Sequence, residues 1–189
     1  MTTEVRPEYI AGWIDPHDAS TNFETLRDQL AWRHDTEARA EYFMAHTPTA
    51  YTYGSGVGAR TYYSSEYHPI VLDIQNKLNL FGKTYNVCFL NRYDNQKHQL
   101  GWHSDDTIGM RHDHPIAVVS FGAEREIWWR NKGQTGVIPA NQRQLLGHGS
   151  LFVMPAGFQL THEHRIPKAD HTVGSRISLT YRYYTPGPK

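Results

Sequence analysis

Three short constellations in the chain carry residue types that do chemistry. His103-Ser104-Asp105 puts an imidazole and a carboxylate two residues apart, and His164 follows 59 residues after Asp105. In an extended segment, side chains at i and i+2 point to one side, so His103 and Asp105 can present a nitrogen and an oxygen to the same point. A third ligand from a distant strand would close one face of an octahedron. Two His and one carboxylate with the opposite face open is the donor set of non-heme Fe(II) oxygenases. His112-Asp113-His114 and His162-Glu163-His164 have the same spacing and either can contribute to a zinc site. Composition alone does not choose between His162 and His164, and His112 and His114, set in a charged stretch before Pro115, read as a solvated loop.

The second constellation is Arg176-Ile-Ser-Leu-Thr-Tyr-Arg182. As a strand it puts Ile177, Leu179 and Tyr181 on one face and two guanidiniums with two hydroxyls on the other. If that polar face turns into a barrel interior, Arg176 and Arg182 require anions, because a buried unpaired charge is costly. Their Cα atoms would lie roughly 20 Å apart at about 3.3 Å per residue, a span from which both forks can reach the ends of a short dicarboxylate. The third, Asn91-Arg92-Tyr93, offers an Asn and a Tyr on one face as donors to an oxo-acid.

The elements that must position these groups follow from patterning. Thr21-Asn-Phe-Glu24 fits a capping box, and Phe23, Leu26 and Leu30 recur at helical steps, predicting a helix over 22–32. Pro69 suits the first turn of a second helix, over 69–81, with Ile70, Val71, Ile74, Leu78 and Phe81 on one face and Gly82 ending it. Beyond Gly82 the helical period gives way to short β-branched and aromatic runs at 84–93, 115–121, 125–130, 149–154 and 175–184. Two early helices followed by many strands predict an α+β fold, with helices covering one side of an antiparallel sandwich or barrel. One domain spans 1–189, with helices and a lid in 1–82 and the strand-rich core in 83–185.

Composition narrows the function classes. Nineteen Lys and Arg balance nineteen Asp and Glu, so any basic groove must be local; Arg125, Arg130, Lys132 and Arg143 are the candidates for a phosphate track. The single cysteine, Cys88, excludes a cysteine-type zinc site and an internal disulfide. No apolar run reaches the roughly 18 residues of a membrane span, so the expectation is a soluble, cytoplasmic monomer without membrane contact. Eight of the twelve histidines fall between His98 and His171, a clustering that itself assigns no roles.

Taken together and in order, Asn91-x-Tyr93, Trp102-His103-Ser104-Asp105-Asp106, Pro115-Ile-Ala-Val-Val-Ser-Phe-Gly-Ala, Gly149-Ser-Leu, His164-Arg-Ile-Pro-Lys and Arg176-x5-Arg182 resemble the AlkB family of Fe(II)/2-oxoglutarate dioxygenases. The resemblance runs from about Thr49 to Pro186 and is closest to the branch that demethylates nucleobases. It implies a double-stranded β-helix (jelly-roll) core, with Fe(II), 2-oxoglutarate and O₂ as cofactors. His103, Asp105 and His164 are the implied iron ligands and, with Arg176, the implied catalytic set. Asn91, Tyr93, Arg176 and Arg182 are implied to hold 2-oxoglutarate, Arg182 on its distal carboxylate and Arg176 near the chelating end. Tyr51, Tyr53, Trp102 and Asp106 are the implied substrate contacts, with Tyr53 stacking on a flipped base opposite His103. Gly54–Gly58 reads as a lid hinge. The implied partner is alkylated DNA or RNA, single-stranded or with its base flipped out, carrying 1-methyladenine- or 3-methylcytosine-type lesions. Two other readings stand beside this one: the same chemistry on an unmodified base, nucleotide, metabolite or protein, and a non-catalytic jelly-roll reader of nucleic acid or ligand.

Overall fold

A computed structural model describes residues 6–53, 57, 59–80, 82, 84–105 and 109–185. The order is β1 (Glu8–Ile10), α1 (Pro16–Gln29), β2 (Arg33–Thr36), β3 (Arg39–Ala45), β4 (Ala50–Tyr53), β5 (Arg60–Tyr63), α2 (Pro69–Asn79), β6 (Val87–Tyr93), β7 (Leu100–His103), β8 (Ile116–Gly122), β9 (Arg125–Asn131), β10 (Arg143–Leu146), β11 (Ser150–Met154), α3 (Phe158–Thr161), β12 (His162–Ile166) and β13 (Arg176–Arg182). Strands β1-β11-β8-β13-β6-β3-β2 form a seven-stranded sheet, β10-β9-β12-β7 a four-stranded one, and β4-β5 a separate hairpin. Every pairing between these strands is antiparallel.

Strand β13 shows how the sequence builds the layers. All seven of its residues are buried. Ile177, Leu179 and Tyr181 join Ala19 and Leu26 of α1 and Val71, Ile74 and Leu78 of α2 in one apolar cluster, so this face of the large sheet lies under the two helices. The opposite face carries Arg176, Ser178, Thr180 and Arg182, equally buried, into the space on the other side of the sheet. There a second cluster, including Tyr93, Val118, Phe152, Ile127 and Ile166, draws on strands of both sheets. Gly122, at φ +86°, ends β8 before the chain crosses to the small sheet; a Cβ there would lie 2.3 Å from the Ser175 carbonyl oxygen.

Two expectations shift. The first helix begins at Pro16, not near residue 22, because Asp15 caps it by accepting from the His17 amide and Pro16 occupies the first turn. Thr21 sits inside the helix, its hydroxyl donating to the His17 carbonyl. The second helix begins at Pro69 as expected and runs to Asn79; Phe81 lies outside the described residues. The early part of the chain also holds strands β1–β5, which the apolar pattern concealed. Strand β3 is the informative case: Arg39, Glu41, Phe43 and Ala45 share one face, all buried, and two of the four are charged. A charged inward face reads as surface in a sequence.

Candidate active site

The metal-ligating groups meet across the small sheet. His103 ends β7 directly opposite His164 of β12 in the ladder, and the chain bends after His103 to bring Asp105 back. His103 Nε2 lies 3.7 Å and His164 Nε2 4.0 Å from the Asp105 carboxylate, and the rings sit 4.2 Å apart between centroids. One ligand atom from each residue lies within 4.8 Å of the others. His162 takes no part: its ring stacks on Phe158 at 4.4 Å.

The protonation states suit a cation. The His103 Nδ1–H donates to the Gly101 carbonyl at 2.8 Å, which leaves the Nε2 lone pair facing Asp105. Burial pushes the His103 imidazole down, and burial with the neighbouring His103 pushes His164 down to about 3. Burial alone would raise the Asp105 carboxyl, but the Arg182 guanidinium and the two imidazoles outweigh it and hold it at about 2. Two neutral imidazoles and an ionised carboxylate, with Asp105 and His164 buried and His103 partly exposed, fit a divalent ion. The His164 Nδ1 has no hydrogen-bond partner among the described residues.

Two guanidiniums flank the triad differently. Arg182 donates to the Asp105 carboxylate, Nη2 to Oδ2 at 2.8 Å. Arg176 is 0% exposed, its Nη2 donates to Ser120 Oγ at 2.8 Å, and it lies over the Tyr93 ring; its Nε and Nη1 have no hydrogen-bond partner among the described residues. Burial lowers Arg176 to about 10, still a cation at neutral pH. A buried cation with two idle N–H donors fits an absent anion. Of the two arginines, it is Arg182 that lies against the His-Asp-His cluster.

A cavity lies beside the triad, lined among others by His103, Asp105, Arg182, Asn91, Tyr51 and Tyr53. Tyr53 approaches the His103 ring edge-on at 6.1 Å, and burial with the nearby Asp105 charge raises its hydroxyl to about 12, so it stays neutral. Tyr51 is buried against Phe43, Phe89 and Tyr184. Asp106 and Gly54–Gly56 with Gly58 lie outside the described residues.

Trp102 does not belong to the cavity. It precedes His103 on β7 and so faces the other side of the small sheet, where Arg130 covers its ring at 4.1 Å and Arg165 at 5.4 Å. Trp128 sits on that outer face under Arg143 and Arg165, whereas Trp129 packs inward on Phe152. Arg125 leaves the proposed phosphate track: it is buried and spends its N–H groups on the carbonyls of Asn95, His98 and Pro167. Sequence reasoning missed Arg39, Glu41 and Phe89 of the lining. The available signal was the i, i+2 alternation Arg39-x-Glu41-x-Phe43, legible once 39–45 is read as a strand.

Residues 7–182 match the 2OG-Fe(II) oxygenase superfamily. The chain is 30% identical over 188 residues to alpha-ketoglutarate-dependent dioxygenase alkB homolog 3 of Bos taurus, covering 94% of this chain and 66% of that protein. It is 29% identical over 203 residues to the DNA oxidative demethylase ALKBH2 of Arabidopsis thaliana, covering 92% and 65%. The chain thus spans just under two thirds of the length of these curated relatives. The solved structure of OsALKBH1 superposes with a TM-score of 0.58 at 15% identity, covering 96% of this chain and all of that one, a likeness of fold. With the match spanning nearly the whole chain and a His-Asp-His cluster in place, the protein belongs to the 2OG-Fe(II) oxygenase superfamily, whose cofactors are Fe(II), 2-oxoglutarate and O₂.

Proposed function

We propose that this protein oxidatively demethylates N-alkylated nucleobases, of the 1-methyladenine or 3-methylcytosine type, in single-stranded DNA or RNA, on a double-stranded β-helix core with its helices on one side. The observation that carries the reading is the convergence of His103, Asp105 and His164 beside a cavity walled by Tyr53, with Arg182 and Arg176 behind it. When bound, Fe(II) with 2-oxoglutarate and O₂ supplies the oxidation of the N-methyl group, which leaves as formaldehyde while the cosubstrate becomes succinate and CO₂.

The chain's own residues supply geometry. His103 and His164 offer neutral nitrogens and Asp105 an ionised oxygen from one side, so the other side stays open to reactants. Arg182, held against Asp105, serves the end of the cosubstrate nearest the metal. Arg176, six residues away along β13, receives the distal carboxylate on its free Nε and Nη1 beside Ser120 and Tyr93. Asn91 donates its amide N–H to the acid. The hairpin β4-β5 excludes water and brings Tyr53 against the base, replacing the stacking lost on extrusion. Zero formal charge favours single strands over a wide electrostatic grip on duplex.

Tyr53 and Trp102 provide the test, since the two aromatics resemble each other in sequence and face opposite ways. With formaldehyde release from a methylated single strand as the readout, Tyr53→Ala is expected to raise KM by about 5- to 150-fold, the ~1–3 kcal/mol of one base–aromatic stack. Trp102→Phe is expected to change KM less than about twofold, as for a surface substitution away from the site. Equal effects from both would remove Tyr53 from the base-binding role.

A further inference from the structure

Glu41 lies in the cavity wall outside the metal cluster, 1% exposed, and three polar groups from two strands donate to its carboxylate. From the hairpin, the Tyr62 hydroxyl donates to Oε2 at 2.7 Å and Arg60 Nη1 to the same oxygen at 3.2 Å. From its own strand, Arg39 Nη2 donates to Oε1. The same guanidinium continues inward, its Nε donating to Asn91 Oδ1 at 2.8 Å across the β3-β6 ladder, where Glu41 and Asn91 are opposite neighbours. A buried carboxylate satisfied this completely has no reactive role to play. Its consequence is mechanical.

The hairpin forms its own two-stranded sheet, and the backbone bonds that tie it to β3 lie beyond the end of β5, at Ser65. At the cavity, Glu41 thus ties β5 to β3 of the large sheet through Arg60 and Tyr62. At the far end of the chain of bonds, occupation of Asn91 Oδ1 by Arg39 fixes which way the amide points: the Nδ2 protons must face away from the guanidinium, because turning the amide over would set N–H against N–H. An acid that draws on Asn91 needs that orientation. We propose that Glu41 is a positioning residue which, through Arg39, couples closure of the β4-β5 hairpin to cosubstrate binding at Asn91, so that 2-oxoglutarate prepares the site for the base and the base tightens the hold on 2-oxoglutarate. The proposal rests on the assignment of Asn91 to the cosubstrate made above. Coupling of this kind is reciprocal and is typically worth about 5- to 150-fold in affinity.

The experiment compares wild type with Glu41→Gln, which keeps the shape and removes the charge, and with Tyr62→Phe, which keeps the ring against Phe89 and removes one bond to the carboxylate. Hydrogen exchange of the amides in 50–53 and 60–63 is followed in anaerobic protein loaded with Fe(II), with and without 2-oxoglutarate; the visible charge-transfer band reports cosubstrate occupancy in the same samples. In wild type, 2-oxoglutarate is expected to slow exchange in the hairpin by about fivefold or more, and the slowing is expected to fall to less than half in both variants. Steady-state kinetics should show KM for 2-oxoglutarate raised about fivefold in Tyr62→Phe with kcat within about twofold, an effect that loss of packing alone would not confine to KM. Full slowing and unchanged KM in both variants would overturn the coupling. A wild-type protein that shows no charge-transfer band would instead overturn the cosubstrate assignment, and this proposal with it.

Discussion

Asp105→Ala is expected to abolish turnover, lowering succinate formation by about 10³-fold or more, equivalent to at least ~4 kcal/mol of transition-state stabilisation. The carboxylate is the one charged member of the cluster, it sits within 4.0 Å of both His Nε2 atoms, and it is kept ionised at an acidity of about 2 by Arg182 and the imidazoles. Its removal takes away the anionic ligand and leaves Arg182 buried beside an empty position. Breaking a buried pair from one side costs about 3–5 kcal/mol, so the alanine variant will also lose thermal stability. Asp105→Asn separates the two effects: it preserves shape and can still accept from Arg182, yet it cannot supply the charge. Loss of both activity and the anaerobic Fe(II)/2-oxoglutarate absorption band in a folded Asp105→Asn protein confirms the ligand role. Undiminished turnover in either variant would dismiss it.

Arg176→Met is expected to raise KM for 2-oxoglutarate by about 100-fold, close to 2.7 kcal/mol, a typical loss for removing one side of a buried charge-assisted contact. The direction of its effect on stability is opposite to that of Asp105→Ala. Arg176 is fully buried, its Nη2 donating to Ser120 and its Nε and Nη1 meeting no acceptor among the described residues. Replacing an uncompensated buried cation by an apolar side chain of similar volume is neutral or stabilising. The melting temperature without 2-oxoglutarate should therefore hold or rise, while the upward shift that saturating 2-oxoglutarate gives the wild type should disappear. A variant that melts lower and binds 2-oxoglutarate normally would make Arg176 a structural residue.

These two positions also show what could be read in advance. The alternation along 176–182 announced a strand with two arginines on its polar face, and the cost of burying them announced an anion; both faces of β13 are indeed buried. What alternation could not supply was which arginine stands nearest the metal, because that depends on how β13 lies against the Asp105 turn, a contact between segments 77 residues apart. His103 and Asp105 were legible as an i, i+2 pair, and the same rule applied one residue earlier would have turned Trp102 to the outer face. The choice of His164 over His162 rested on resemblance; in the fold it follows from the β7-β12 register, which sets His164 opposite His103. Strand β3 was not legible, since Arg39 and Glu41 look like surface until their partners Asn91, Arg60 and Tyr62 arrive from β6 and β5.

Demethylation driven by Fe(II) and 2-oxoglutarate is best tested by measuring formaldehyde and succinate together, from methylated and unmodified single strands of the same sequence. About one formaldehyde per succinate is expected on the methylated strand and none on the unmodified one. Succinate formed at equal rates on both strands, with no formaldehyde from either, would contradict it and move the chemistry to another substrate.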